Sequence, residues 1–354
     1  MFSRLSYVHI GRPHWHLRPL FWSLLCLISL GLLCLLFIVE TKIVAFETTT
    51  RKITDDTETA STTRAFPIGV NPKTKTVTEN PQINMYVEEF VASNYTPTNI
   101  VESWHTRFLA KLAQLDWFQN LASPISRVLV IQSGERSEEV IAHFTKILGW
   151  NKEEQTEFLS RIASEVPELP DGKLYPGTYI VEKDATPEAV AIVVADRFNA
   201  EVRSRYSDDV EELLPLRDTL IIASLIEREA YDFEDMRYIS GIIWNRLFID
   251  MRLQIDATMQ YAKATNQMSP TLKNWWQVPV PADKAIISPY NTYKNTGLPP
   301  GPIANPSIDA IIAALNPRET DCLFYFHDDE GNFHCSNTYE EHVANLKTIF
   351  GRGK

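Results

Sequence analysis

One segment limits what this chain can become more than any other. LFWSLLCLISLGLLCLLFIV, residues 20–39, runs for 20 residues without a charge, bracketed by Arg18 and Glu40. A helix of about 20 apolar residues is what the hydrocarbon core of a bilayer requires. A cleaved signal peptide is the alternative. Its apolar core is shorter and ends at small residues, whereas Phe37-Ile38-Val39-Glu40-Thr41 offers no small-x-small site. The segment is therefore expected to be an uncleaved transmembrane helix. Residues 1–19 carry Arg4, Arg12 and Arg18 and no acid, so the positive-inside rule holds this N-terminus in the cytoplasm. Everything from Glu40 on is then expected outside the membrane, where 31 basic residues face 45 acidic ones. That balance excludes a nucleic-acid binder, which needs a basic footprint, and a domain lying flat on anionic lipid.

The 354 residues are enough for two or three domains. Residues 40–83 are rich in threonine, with eleven between Thr48 and Thr78 and few large apolar residues. Such a composition buries too little surface to offset chain entropy, so a tether is expected there. Residues 84–126 hold helical patterns such as FLAKLAQLDWFQNL, whose role the residues do not reveal. RVLVIQ (127–132) has strand character, and Ser137, Glu138 and Glu139 resemble an N-cap with acids in the first turn. Helical runs cover SEEVIAHFTKILGW and 152–163, and KLYPGTYIV (173–181) returns as a strand. Residues 127–183 thus read as a compact βααβ module. Residues 184–354 read as mainly helical, with a proline-rich loop region, a hairpin in LFYFHDDEGNFHCS and a final helix over 338–349. The expected fold class is α+β.

Within that helical part, IIASLIEREA (221–230) ends an apolar run in two acids. At 100° per residue, Glu229 falls about 20° from Ile222, in the centre of the apolar stripe, while Glu227 falls about 140° away, where a solvated charge belongs. A carboxyl there is either relieved of the core, at a frayed helix end or in a pair with Arg228 or Arg237, or pushed towards neutrality by desolvation. The second case is the environment of a general acid that works near neutral pH.

Cys26 and Cys34 lie in the apolar segment and read as packing residues. Cys322 and Cys335 flank the hairpin turn, in a part of the chain where a disulfide is chemically allowed. A simple register about DDEGN does not set them opposite each other, so a bridge stays open but is the less favoured reading. No CxxC or HExxH pattern occurs, so neither a metal nor a cofactor is expected.

Several blocks resemble the MltG-type (YceG-like) family of membrane-anchored endolytic transglycosylases. IASLIEREA carries the family's apolar run ending in Glu-x-Glu. IIWNRLFIDMRLQIDATMQYA carries its Asn-Arg-Leu, Met-x-Leu-Gln and Asp-x-Thr pattern through Asn245, Arg246, Met251, Leu253, Gln254, Asp256 and Thr258. SPYNTYKNTGLPPGPIANPS (288–307) is the most diagnostic block, and the hairpin with TYEEH (338–342) closes the series. The likeness covers about residues 174–350, and the βααβ module is similar to the family's LysM-like part.

The resemblance implies that Glu229 is the catalytic acid, the residue that the helical wheel singles out independently. It implies that the amides of Asn245, Gln254 and Asn291 and the rings of Tyr290, Tyr293, Tyr175 and Tyr179 bind the glycan. Each has a structural alternative, backbone satisfaction for the amides and loop packing for the rings. Arg246, Asp256, Thr258 and Glu227 belong to the supporting set, with Arg246 and Asp256 either orienting Glu229 or pairing with each other. His327, His334 and His342 read as hairpin or surface histidines.

The implied activity is endolytic cleavage of MurNAc–GlcNAc bonds in nascent peptidoglycan, leaving 1,6-anhydroMurNAc ends, at the outer face of the bacterial plasma membrane. Wall-synthesis proteins are the implied partners. A non-catalytic wall-synthesis scaffold is the rival and an ordinary hydrolase the third reading. Four departures stand out: Ala230 replaces a small hydroxyl residue, Gly177 replaces an aspartate, Ala257 replaces a proline, and His334 follows Phe333 one place late.

Overall fold

A computed structural model describes residues 65–79, 81, 84–85, 126–165, 171–267 and 274–351. The first described residues correct the expected tether. β1 (Val70–Asn71) pairs antiparallel with β2 (Thr76–Val77), and Phe66 and Val70 are buried. Phe66 N donates to Arg205 O at 2.9 Å, Gly69 N to Leu315 O at 2.9 Å, and Asn316 Nδ2 to Pro67 O at 3.0 Å. Two apolar anchors and three backbone bonds are enough to order a short turn, a local feature that an average over some forty residues conceals. The expected span at 20–39, most of the threonine-rich stretch and nearly all of 84–126 lie outside the described residues. Among the described helices none is long and apolar enough to cross a membrane.

β3 (Ser126–Ile131), α1 (Ser137–Leu148), α2 (Lys152–Glu165) and β4 (Gly177–Glu182) follow in order, with β3 and β4 antiparallel from Ser126↔Glu182 to Ile131↔Gly177. Alternation sends Leu129, Ile131, Tyr179 and Val181 inward. There they meet Val140 and Phe144 of α1, Phe158 of α2, and Trp150 between the helices. α3 (Pro187–Glu201) starts at Thr186, whose hydroxyl accepts from Ala189 N, with Pro187 at the first helical position. Its Val190, Ala191, Val194 and Ala195 join the same core, which therefore continues past residue 183. Ser137 is not the cap of α1. It is the first helical residue, and its N–H and hydroxyl both donate to the buried Asp171.

The second core is helical. A 3₁₀ turn (Arg203–Arg205) and α4 (Asp208–Leu213) lead to α5 (Leu216–Glu229), whose residues 219–226 are buried on every side. α6 (Phe233–Phe248) begins at Asp232, which caps Asp235 N. α7 (Asp256–Asn266), a 3₁₀ turn (Pro281–Ala285) and α8 (Ile308–Leu315) follow, α8 being capped by Ser307. α5, α6 and α8 pack on one another, and Trp244 Nε1 of α6 donates to Ala314 O of α8. β5 (Phe324–His327) and β6 (Phe333–Ser336) form an antiparallel hairpin, and α9 (Tyr339–Phe350) ends the described chain behind a Thr338–Glu341 capping box. The architecture is mainly helical with small antiparallel hairpins, an α+β fold.

Cys322 and Cys335 are bridged, with a Cα–Cα distance of 5.8 Å, the outcome that the register disfavours. The ladder pairs Cys335 with Tyr325, so the two cysteines are indeed not opposite. Cys322 lies before the strand begins and is free of its register, so its chain bends back to meet Cys335.

Candidate active site

Glu229 is the last residue of α5, and Ala230 after it is extended. The helix thus carries the carboxyl to the end of the apolar run and stops. Oε2 accepts from Tyr325 Oη at 2.9 Å, and Oε1 faces Ala257 N at 3.4 Å. Residue 229 as a whole keeps some exposure, yet burial dominates its carboxyl and pushes its pKa up to about 7. The Tyr325 and Ala257 hydrogen bonds oppose that rise, the charge of Asp256 adds to it, and Arg228 offsets part of it. Of the two arginines considered as pairing partners, Arg228 lies over the Trp276 ring, 4.0 Å from its centroid, and Arg237 donates to Asn316 O and Asn84 Oδ1.

Tyr325 and Ala257 come from elements far from α5 in sequence. Ala257 is the second residue of α7, where helical N–H groups have no intrahelical acceptor. Tyr325 lies in β5, and period-2 alternation puts it on one face with His327, whose Nε2 meets Asp235 Oδ2 at 2.8 Å. The hairpin, its histidines and its cysteines are visible in the sequence, but Tyr325 has no distinguishing mark there. Alternation in FYFH is the one signal that groups Tyr325 with His327, and nothing in it points to Glu229, 96 positions away.

Asp256 opens α7 and accepts from Tyr293 Oη at 2.7 Å, so Tyr293 meets the site through its hydroxyl. Arg246 neither pairs with Asp256 nor touches Glu229. Its Nε donates to Leu323 O at 2.7 Å and its Nη1 to Leu253 O, pinning the two backbone segments that flank the site. Asn245 spends its amide on Thr320 O and Cys322 O, at 2.6 and 3.1 Å. Asn291 is fully buried, donating to Lys284 O and Ile286 O and accepting from Tyr293 N. Thr258, also buried, bonds to Ile255 O and Thr292 Oγ1.

Gln254 is different. It is exposed, and its backbone is left-handed, with φ of 51°. Its N–H donates to Thr292 O, which holds this uncommon conformation two residues before Asp256. Tyr290 packs on Tyr261 with ring centroids 4.6 Å apart. Tyr175 and Tyr179 lie under Arg197, and Tyr179 Oη donates to Tyr175 O at 2.5 Å. A Cβ at Gly177 would come 3.1 Å from Arg197 Cζ, so that guanidinium fills the space a side chain would take there.

Glu227 is not a solvated charge. Its Oε2 accepts from Ser307 N at 2.9 Å and Ser307 Oγ at 2.5 Å, tying α5 to the cap of α8. The arrangement therefore desolvates one carboxyl and holds it by a neutral hydroxyl, with the other acid of Glu-x-Glu tied up elsewhere and the Asp256 charge near enough to be felt. Among the described residues no group of His, Cys, Asp and Glu is placed to hold a metal ion.

The chain is 29% identical over 274 residues to the endolytic murein transglycosylase of Streptococcus pneumoniae serotype 2 (strain D39), covering 70% of this chain and 49% of that protein. It is 35% identical over 173 residues to the endolytic murein transglycosylase of Bacillus subtilis strain 168, covering 49% and 46%. The chain thus spans about half the length of the curated relatives it matches. A crystal structure of a yceG-like protein from Listeria monocytogenes superposes with a TM-score of 0.53 at 27% identity, over 62% of this chain and 75% of that one. The sequence profile of the YceG-like family matches residues 76–348, from β2 to near the end of α9 and across every element that builds the site, and the chain belongs to that family.

Proposed function

We propose that this chain is an endolytic peptidoglycan lytic transglycosylase in which Glu229 alone acts as general acid and base. The observation that carries the reading is the buried Glu229 carboxyl, held by the Tyr325 hydroxyl at 2.9 Å and with its pKa pushed up to about 7. Ordinary glycoside hydrolysis uses two carboxyls about 5–9 Å apart, one of them to activate water or form an ester. Here Glu227 is bound to Ser307, and Asp256 is bound to Tyr293.

A transglycosylase needs one carboxyl. Glu229 gives its proton to the glycosidic oxygen as the bond from MurNAc C1 breaks. The MurNAc C6 hydroxyl then closes on C1, and its proton passes to the Glu229 carboxylate. One C–O bond breaks, one forms, no water is consumed, and the acid is regenerated. A group that titrates near neutral pH serves both steps. Gln254 is the amide whose exposure and position suit contact with the sugar. Asn245 and Asn291 shape the loops around it.

The chain is further proposed to be held in the bacterial plasma membrane by residues 20–39, with its N-terminus cytoplasmic and wall-synthesis proteins as partners. The Cys322–Cys335 disulfide supports an exported catalytic part, because such bridges persist in oxidising compartments. The β3–α1–α2–β4 unit is proposed as a LysM-like glycan-holding module.

Digestion of purified peptidoglycan in H₂¹⁸O by the detergent-solubilised full chain tests the reaction. Muramyl ends that lack a water and carry no ¹⁸O are expected in the mass spectrum. Reducing ends labelled with ¹⁸O would make the protein a hydrolase, and binding without cleavage would make it a scaffold.

A further inference from the structure

We propose that Tyr325 is the positioning residue of Glu229: its hydroxyl occupies Oε2 and leaves Oε1 to carry the proton exchanged with the glycan. This rests on the reading of Glu229 as the acid. At 2.9 Å the Tyr325 bond lies within the usual O–H···O range, whereas Ala257 N at 3.4 Å from Oε1 lies beyond the usual N–H···O range. The two oxygens are therefore unequal. A phenol has one proton, and burial together with the nearby Glu229 charge raises the Tyr325 pKa well above 10, so the hydroxyl stays a donor throughout the working pH range. The proton of the neutral carboxyl accordingly resides on Oε1.

The ring that delivers this hydroxyl is held on several sides. Phe333 stacks on it at 5.9 Å and 19°, and His327 meets it edge-on at 6.5 Å. Cys335 is its partner in the ladder and is bridged to Cys322, while Arg246 grips Leu323 O two residues before it. Together these contacts fix the Oη position relative to α5.

The consequence is a division of labour. When Oε1 gives its proton to the glycosidic oxygen, the Tyr325 bond becomes charge-assisted and strengthens. It steadies the carboxylate until the C6 hydroxyl returns a proton to the same Oε1. The other charged or titratable groups that face Glu229 are Arg228 on its own helix, Asp256 of α7, Arg246 of α6 and Tyr293 of the following loop. Of all these groups, Tyr325 is the one hydrogen-bonded to the carboxyl.

The test is a ¹³C NMR titration of the glutamate side-chain carboxyls in the full chain, with Glu229 identified by the resonance lost in Glu229→Gln. Tyr325→Phe keeps the ring and removes the donor, so the midpoint should rise by about one pH unit. Replacing Tyr325 by 3-fluorotyrosine makes the hydroxyl a stronger donor without reshaping the site, so the midpoint should fall. The descending limb of peptidoglycan cleavage should move the same way in each protein. Unmoved midpoints in both folded variants would overturn the proposal, whether or not they cleave glycan. Midpoints that move while no form of the protein cuts peptidoglycan would confirm the Tyr325–Glu229 coupling and remove the enzymatic reading instead.

Discussion

The carboxyl of Glu229 is pulled two ways, by burial that favours its proton and by Tyr325 and Ala257 that favour its charge, and burial wins. A folded-state pKa of about 7 against an ordinary 4.5 makes a statement about stability as well as catalysis. The stabilising balance is fully present below pH 4.5 and is lost as pH rises through 7, because the folded protein must then hold a buried charge. Glu229→Gln removes that liability. Its melting temperature should match the wild type near pH 4 and exceed it near pH 8, by the equivalent of at most about 3 kcal/mol. Asp256→Asn should act on the same group with a definite sign. The Asp256 charge raises the Glu229 pKa, so its loss should shift the descending limb of cleavage to lower pH. At this scale the sequence was informative where a residue's role is local. The wheel separated Glu229 from Glu227, although a helix buried all round also found Glu227 a partner. Asn245 and Asn291 were ambiguous because an amide in an irregular loop serves a sugar or a carbonyl equally well, and here their amide groups bond to backbone carbonyls.

Among the elements, the β5–β6 hairpin shows why long-range chemistry escapes a local reading. Its strands and turn were legible from alternation and from DDEGN, but the contact from Tyr325 to α5 follows from packing that no periodicity encodes. Its disulfide stays undecided in the sequence because a ladder register says nothing of a cysteine that precedes the strand. That bridge closes a loop of 13 residues, a size for which loop-closure entropy is worth about 3 kcal/mol. Cys322→Ser with Cys335→Ser should lower stability by about 2–3 kcal/mol in a denaturant titration. Added thiol reductant should destabilise the wild type and leave the double variant unchanged.

Across the whole molecule, the two cores meet at Asn305. Its Oδ1 accepts from Gly172 N and Leu174 N, its Nδ2 and N–H donate to Glu135 O, and its carbonyl accepts from Gly134 N. Beside it the buried Arg136 lies 4.0 Å over the ring of Tyr261 on α7, the helix that also offers Ala257 N to Glu229. The βααβ unit is thus seated on the element that shapes the acid. Asn305→Ala strands buried backbone donors and should cost about 2–4 kcal/mol. Native-state hydrogen exchange should show the loss concentrated in β3, β4 and the loop at 171–174. The order of elements in both cores was legible from sequence. The seam was not, because Asn305 reads as one more loop residue in a proline-rich block, and the hairpin at 65–79 was hidden by its threonine-rich surroundings.

The most direct test of Glu229 as the acid is the rate at which the full chain forms 1,6-anhydromuramyl ends from peptidoglycan, measured across pH beside Glu229→Gln. The account predicts a wild-type rate that falls as pH rises through about 7. It also predicts a variant slower by about 10²- to 10⁴-fold and without that limb. A Glu229→Gln protein that cleaves at the wild-type rate would contradict it.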